Sequence, residues 1–414
     1  MKNRYLRSIL LVALMSAGIR AEDAPAPAHF SLQQALAAAT ESNPALLANS
    51  DRVAEAQSLR LQAALKPNPR VVVQSENLRA WESPGQPFWR ETDTYVYGAQ
   101  VVERGQKRER RMDYAAAGVT QAESERDMLE AQLRGRVAAA YWNAVAASRI
   151  VDLYHQDLAT FGQIVEFNRS RVNEGALPGI DLMRIEIEHD QLLATSRRSE
   201  QDADLARIAL AREMGKPDLP AAVLWDSLEE LTPPALLPME DILRRRKDVI
   251  AAEALVRQSD QNVALQKANA KTDPEFQLGY KRTAGFDTLY SAVSIPLAVR
   301  NRNQGNISAA EAESSHARHL AEALRIQVRT EFEAASRNYA AKRSALEQTI
   351  APLRTRTRDV AQIANAAWRE GGVDLLRFLD AERVRIQTEV LYFRSLAELQ
   401  QSIVNLKLSQ GDEL

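Results

Sequence analysis

The chain has 414 residues, 45% of them hydrophobic and 26% charged, which supplies a large core and argues against a disordered chain. A formal net charge of −2 gives no electrostatic basis for nucleic-acid binding, and the absence of cysteine removes disulfides, thiol catalysis, thiolate metal sites and any lipid-modified amino-terminal cysteine. Aromatic residues make up only 6%, while alanine is abundant, a balance that suits helices packed closely over long distances better than one deep globular core.

Residues 1–21 read as an export signal: Lys2, Arg4 and Arg7 are its positive region, Ile9 to Met15 its apolar region, and Ile19-Arg20-Ala21 a small-residue cleavage site. The apolar run is too short to anchor the chain across a bilayer, and no later run reaches the ~18 apolar residues of a membrane helix. An exported chain of this kind is either soluble in the periplasm or an outer-membrane β-structure.

Residues 22–30 form an Ala/Pro tether. Ser31 and Gln34 make a capping box for a short helix carrying Leu32, Ala35, Leu36 and Ala39 on one face. Ser42-Asn43-Pro44 closes that helix and opens a second, which runs to about Leu65 and stops at Lys66-Pro67-Asn68-Pro69. A strand follows over about 70–78, then a loop containing Trp81 and Trp89, then a second strand over about 94–103. In that strand Tyr95, Tyr97, Ala99 and Val101 alternate with Thr94, Val96, Gly98 and Gln100.

From about Gln106 to Gly175 the chain has no proline, and a helix of this length would extend about 100 Å. Val151, Tyr154, Leu158, Phe161 and Val165 recur in steps of three and four, the spacing of helices packed side by side. Asn173-Glu174-Gly175-Ala176-Leu177-Pro178-Gly179 stops this helix, and a return helix is predicted from Ile180 to about Met214.

A proline-rich linker, 216–238, leads into a second copy of the same plan. Gln62 to Gln74 matches Lys267 to Gly279 without gaps; strands are predicted over about 275–283 and 288–296, joined by a turn at Ala284-Gly285. A second uninterrupted helical stretch covers Ile307 to Arg369, Glu370-Gly371-Gly372 stops it, and helix resumes from about Val373 to Gln410. Gly175 aligns with Gly371, Glu186 with Glu382 and Gly215 with Gly411 at one offset, so the chain divides into repeats 31–215 and 239–411, with a tail at 412–414.

Two strand hairpins cannot form a closed sheet alone, and open edges are not tolerated in lipid. Either several chains close one barrel, or the hairpins cap a soluble helical domain; the alternation of residues fits both. In a barrel, Gln100, Gln277 and Ser294 would face the lumen, with Tyr95, Phe276, Leu278 and Tyr280 toward lipid.

Ser31-Leu32-x-x-Ala35-Leu36, Asn43-Pro44, Pro67-Asn68-Pro69 and Arg300-Asn301-Arg302-Asn303-Gln304-Gly305-Asn306-Ile307 resemble the TolC-type outer membrane factors. Within them the sequence is similar to the outer-membrane components of heavy-metal cation efflux systems, the CzcC and CusC type, and the stretch at Asn301, Asn303, Gln304, Gly305 and Asn306 is the most specific part of the likeness. The segment Glu103 to Arg108 looks like the first-repeat counterpart of that stretch, with Arg104 and Gln106 as looser matches.

The resemblance implies a mainly α fold with a small β part. Duplicated helical hairpins form a trimeric periplasmic α-barrel, and four strands per chain join a 12-stranded barrel in the outer membrane of a Gram-negative bacterium. It also implies partners: two further copies of the chain, outer-membrane lipid, a periplasmic adaptor and an inner-membrane RND pump. No cofactor and no enzymatic activity are implied. CusC-like relatives carry a lipidated cysteine that this chain lacks, which tilts the match toward cobalt, zinc, cadmium or nickel systems.

By the same resemblance the two helical turns dock the adaptor, with Gly175, Asp181, Arg369, Gly371 and Asp374 as candidate residues, and Asp374 and Asp380 line the aperture. Arg377 stands where another acidic residue often occurs. The carboxylates can equally be read as helix caps. His316 and His319, three apart on a predicted helix, have no evident third ligand, so no metal site is expected. No phosphate-binding glycine loop, zinc-protease motif or nucleophile elbow occurs. A soluble coiled-coil adaptor and a channel for drugs or secreted proteins are the other readings.

Overall fold

A computed structural model describes residues 29–78, 92–216, 223–224 and 226–414. The predicted export signal, most of the tether, the loop with Trp81 and Trp89, and Trp225 lie outside the described residues.

The chain begins with β1 (His29–Phe30), α1 (Leu32–Ser42) and α2 (Pro44–Ala63). Ser31 Oγ accepts from Gln34 N at 3.3 Å while Gln34 Oε1 accepts from Ser31 N at 2.8 Å, completing the expected capping box. Asn43 ends α1 and caps α2, its side chain accepting from Ala45 N at 2.9 Å, with Pro44 at the first helical position. After β2 (Arg70–Glu76) and β3 (Asp93–Val101), the long helix α3 runs from Lys107 to Asn173, 67 residues or about 100 Å. It returns as α4 (Gly179–Met214), and β4 (Val223–Leu224) follows.

The second half repeats this order: α5 (Met239–Arg245), α6 (Lys247–Asn269), β5 (Glu275–Thr283), β6 (Phe286–Ser294), α7 (Gln304–Ala345), α8 (Ala351–Arg369) and α9 (Leu375–Gln410). The second rod is not uniform. A π-helical segment, Leu346–Ile350, joins α7 to α8, and Ala351 N donates to Leu346 O, one residue further back than in an α-helix. Its cause is Pro352, which has no N–H to give and whose ring would strike the carbonyl four residues earlier; the wider turn relieves both faults.

Near the sheet, α3 packs against α2 and α6, and α7 against α6; further away α3 packs against α4 and α9, and α7 against α9. Between the two levels a belt crosses the rods, formed by β1 paired in parallel with β4 and by α1. Tyr141, fully buried on α3, donates to Phe30 O at 2.9 Å and accepts from Asp226 N at 3.4 Å. Gln400 on α9 donates to Leu228 O at 3.1 Å and Glu230 O at 2.9 Å, and buried Gln410 accepts from Leu237 N at 2.7 Å. The described ends of the stretches read as tether and linker are thus held against the rods, whose side chains satisfy the backbone groups of Phe30, Asp226, Leu228, Glu230 and Leu237.

The four longer strands form one antiparallel sheet in the order β2-β3-β5-β6, so the two hairpins join through β3 and β5 while β2 and β6 remain outer edges. The second return strand starts at Phe286, two residues before the predicted Thr288, because Ala284 and Gly285, with φ of 47° and 84°, form the two-residue loop unaided.

Candidate functional site

Strand pairing fixes which side chains share a face. Val96 lies opposite Val73 and Tyr280, Gly98 opposite Val71 and Leu278, and Gln100 opposite Phe276. Leu289 and Val293 continue this face on β6. It is apolar and open to the surroundings: Val71 is 80% exposed, Leu278 62% and Leu289 80%. The other face carries Gln74, Tyr95, Tyr97, Gln277, Lys281 and Tyr290. There the Tyr290 hydroxyl donates to Gln277 Oε1 at 2.9 Å, and the Tyr97 and Tyr290 rings lie 4.9 Å apart across Gly279.

Two side-chain expectations are corrected. Tyr95 belongs to the polar face, beneath the Lys281 ammonium at 4.9 Å, and Gln100 lies on the apolar face. Gln100 is tolerated there because its amide turns back to the main chain, donating to Pro67 O at 3.1 Å and Val101 O at 2.8 Å. Gln277 and Ser294 are on the polar face, and Phe276, Leu278 and Tyr280 on the apolar one, as expected. Strands of nine residues with one apolar and one polar face have the length and polarity of transmembrane barrel strands.

At the far end of the rods the two turns are built alike. Ala176 N bonds Arg171 O at 2.8 Å and Gly175 N bonds Val172 O at 3.0 Å; Gly372 N bonds Ala367 O at 2.7 Å and Gly371 N bonds Trp368 O at 3.1 Å. Both are Schellman ends, and they require the left-handed φ of +72° at Gly175 and +76° at Gly371. A Cβ at either glycine would meet nothing within 4 Å, so only the backbone demands glycine here.

Asp374 caps α9, its Oδ1 accepting from Arg377 N at 2.8 Å. Asp181 sits half-buried in the first turn of α4, and Arg369 is exposed in the last turn of α8, each where its charge complements the helix dipole. Asp380 is exposed on α9 and pairs with Arg383 at 2.6 Å. Asp374 and Asp380 therefore each have a local partner.

Behind the turns a small core joins the two hairpins, in which Trp368 stacks on Phe378 with centroids 4.7 Å apart. Asp157 of α3, 7% exposed, meets Arg385 of α9, which also holds Glu382 at 2.7 Å. Burial raises the Asp157 carboxyl above its ordinary range, the nearby Arg385 offsetting only part of the effect. Glu389, 1% exposed, receives Arg354 at 2.9 Å and also Arg358, tying α9 to α8. Ile180, Met183 and Ile187, each more than half exposed, form an apolar stripe along α4 beside the first turn.

Trp368 is read from the sequence as a packing residue and Glu382 as the counterpart of Glu186, but Asp157, Arg385, Glu389 and the exposed stripe on α4 are not singled out there. Asp157 carried a signal: it stands at a core position between Ile150 and Phe161, where a polar residue needs a partner. The exposed stripe was visible as apolar residues on α4 beyond those one packing seam uses.

At the sheet end, Arg300 to Asn306 forms a hydrogen-bonded turn that starts α7. Asn303 adopts φ of 62°, donates to Gln266 O at 2.8 Å and Gln266 Oε1 at 3.1 Å, and accepts from Asn306 at 2.6 Å. Asn301 Oδ1 accepts from Asn303 N at 3.0 Å, and Gln304 Oε1 from Arg302 N at 2.8 Å, while Gly305 has open space around it. Gln106 takes the same left-handed φ of 63° ahead of α3, so the first-repeat crossing has the same backbone despite its looser sequence. His316 and His319 are exposed on α7, and among the described residues no three potential metal ligands cluster.

No family model matches the chain. It is 25% identical over 386 residues to the cobalt-zinc-cadmium resistance protein CzcC of Cupriavidus metallidurans, covering 91% of this chain and 88% of that protein. It is 25% identical over 324 residues to the pyoverdine export outer membrane protein OpmQ of Pseudomonas putida, covering 72% and 66%. Its fold matches that of the transmembrane channel protein CusC with a TM-score of 0.75 at 16% identity, over 92% of each chain. With its two helical hairpins, its two-faced sheet and these likenesses, the chain has the fold of the TolC-type outer membrane factors, trimeric outer-membrane channels that extend into the periplasm, and is similar to them along nearly its whole length.

Proposed function

We propose that this channel is the exit duct of a tripartite RND-type efflux system and that its cargo is divalent heavy-metal cations of the cobalt, zinc, cadmium or nickel type. The observation that carries the reading is the match to CzcC along nearly the whole of both chains. The exposed apolar face of the sheet speaks against a soluble coiled-coil adaptor, which would have no use for it. The mechanism is alignment and gating, not bond chemistry. A periplasmic adaptor docks at the turns of Gly175, Asp181, Arg369, Gly371 and Asp374, and the aperture beside Asp374 and Asp380 opens as the hairpin ends part. In the duct, repeats 31–215 and 239–411 are two copies of one unit, joined by 216–238 and preceded by an export signal at 1–21.

A second cargo class has its own support, since OpmQ is named for pyoverdine export. Deletion of the gene tests the choice. Increased sensitivity to zinc, cadmium, cobalt or nickel salts, restored by the cloned gene, is the expected result; unchanged metal tolerance with loss of siderophore or drug export would overturn it.

A further inference from the structure

The end of the sheet from which the rods depart is strongly basic. Four segments meet there, 64–70, 101–111, 270–275 and 295–304, because β2 and β5 begin and β3 and β6 end at the same level. They hold ten lysines and arginines against four carboxylates, in a chain whose net charge is −2. Three of the four carboxylates are engaged: Glu103 with Arg111, Asp273 with Lys107 at 2.6 Å, and Glu275 with Arg70. Among the described residues Lys66, Arg104, Lys271, Arg300 and Arg302 are exposed and make no ion pair, and within these four segments Glu109 is the one exposed carboxylate.

The neighbouring apolar residues give this collar its orientation. Below Leu289 and Val293, the apolar alternation continues through Ile295, Leu297 and Val299, which are 51%, 81% and 70% exposed, and then gives way to Arg300 and Arg302. A change from open apolar to open basic side chains within a few residues is the polarity profile of the boundary between acyl chains and headgroups. A basic ring facing an aqueous lumen would not need exposed Leu297 and Val299 beside it.

We propose that Lys66, Arg104, Lys271, Arg300 and Arg302 bind the phosphate-bearing headgroups of anionic phospholipids in the periplasmic leaflet of the outer membrane. Guanidinium forks match phosphate oxygens, and the charge draws anionic lipid in preference to zwitterionic lipid. The inference rests on the reading of the sheet as an outer-membrane barrel.

The test reconstitutes the full-length trimer into vesicles of phosphatidylcholine alone or mixed with phosphatidylglycerol, and counts retained lipid by native mass spectrometry. The expected result is a roughly tenfold preference for phosphatidylglycerol that falls as salt rises. The preference is expected to vanish when Lys66, Arg104, Lys271, Arg300 and Arg302 are replaced together by glutamine, in a protein that still inserts. Equal retention of the two lipids, an undiminished preference in the variant, or competition by inorganic phosphate as effective as the lipid would overturn the inference alone. Failure to insert into either vesicle would overturn the barrel reading, and this inference with it.

Discussion

The Asp157 carboxylate of the first hairpin and the Arg385 guanidinium of the second meet at 2.5 Å inside the rod, with side-chain exposures of 9% and 19%. One oxygen of Asp157 bonds Arg385 and the other has no partner, so the pair is buried without being fully satisfied. Removing Arg385 strands two largely buried carboxylates, Asp157 and Glu382, whereas removing Asp157 leaves Arg385 paired with Glu382. Arg385→Ala should cost about 3–5 kcal/mol of stability, Asp157→Ala less, and the double variant less than their sum. Thermal unfolding of the four proteins of that cycle measures the coupling; additive losses would refute it.

The same pair sets a pH dependence. Burial raises the folded-state pKa of Asp157 above its unfolded value, so the folded chain holds this proton more tightly. The stabilisation from this group is present below the unfolded carboxylate pKa and is lost as pH rises through the raised folded value. Asp157→Asn should flatten that part of the stability–pH curve and cost less than Asp157→Ala, because the amide oxygen still accepts from Arg385. Unfolding midpoints across a mildly acidic pH series decide it.

Gly371 is a conformational requirement without a packing one, since its φ is +76° and a Cβ would meet nothing within 4 Å. Gly371→Val should strain the second turn by about 1–3 kcal/mol, leave trimer insertion intact and abolish metal resistance; Gly371→Asn should be far milder. Resistance assays beside heat-shifted trimer bands separate the two effects. Undiminished resistance in Gly371→Val would remove the turn from the docking surface.

The two faces of the sheet predict opposite responses to one charge. Leu278→Lys, on the apolar face, should disfavour insertion by about 2–4 kcal/mol, whereas Gln277→Lys, one residue away on the polar face, should be tolerated. Yield of trimer in the outer-membrane fraction is the readout, and equal yields would contradict the assignment of faces.

Asn303 combines a left-handed backbone with three side-chain hydrogen bonds to Gln266 and Asn306. Asn303→Ala should lose about 1–3 kcal/mol and loosen the first turns of α7, seen as faster amide exchange there; Asn303→Gly keeps the φ and should lose less.

Much of this architecture is legible in the residues, and the parts that are not have a common cause. Helix ends are local, so Ser31 with Gln34, Asn43-Pro44, Gly175 and Gly371 can be read one by one, and the shared offset of Gly175/Gly371 and Gly215/Gly411 exposes the duplication. Alternation within a strand is also local, but the relation of one strand's faces to another's depends on pairing register. For that reason Tyr95 and Gln100 were placed on the wrong sides while Gln277 and Leu278 were placed correctly. The tie between Asp157 and Arg385 spans 228 positions and has no local sign beyond a polar residue at a core position. Pro352 is plain in the sequence, yet the predicted helix ran through it; a proline inside an otherwise helical pattern calls for a break or a wider turn, and the chain adopts the turn.

That wider turn occurs in the second rod and not in the first. It adds one residue to the winding, so side chains beyond Ile350 point about 100° away from where an unbroken helix would aim them. Six hairpins from three chains therefore cannot be interchangeable at their free ends. The rim alternates between two kinds of tip, threefold and not sixfold in symmetry, and any ring of partner molecules that settles on it must recognise two unlike seats.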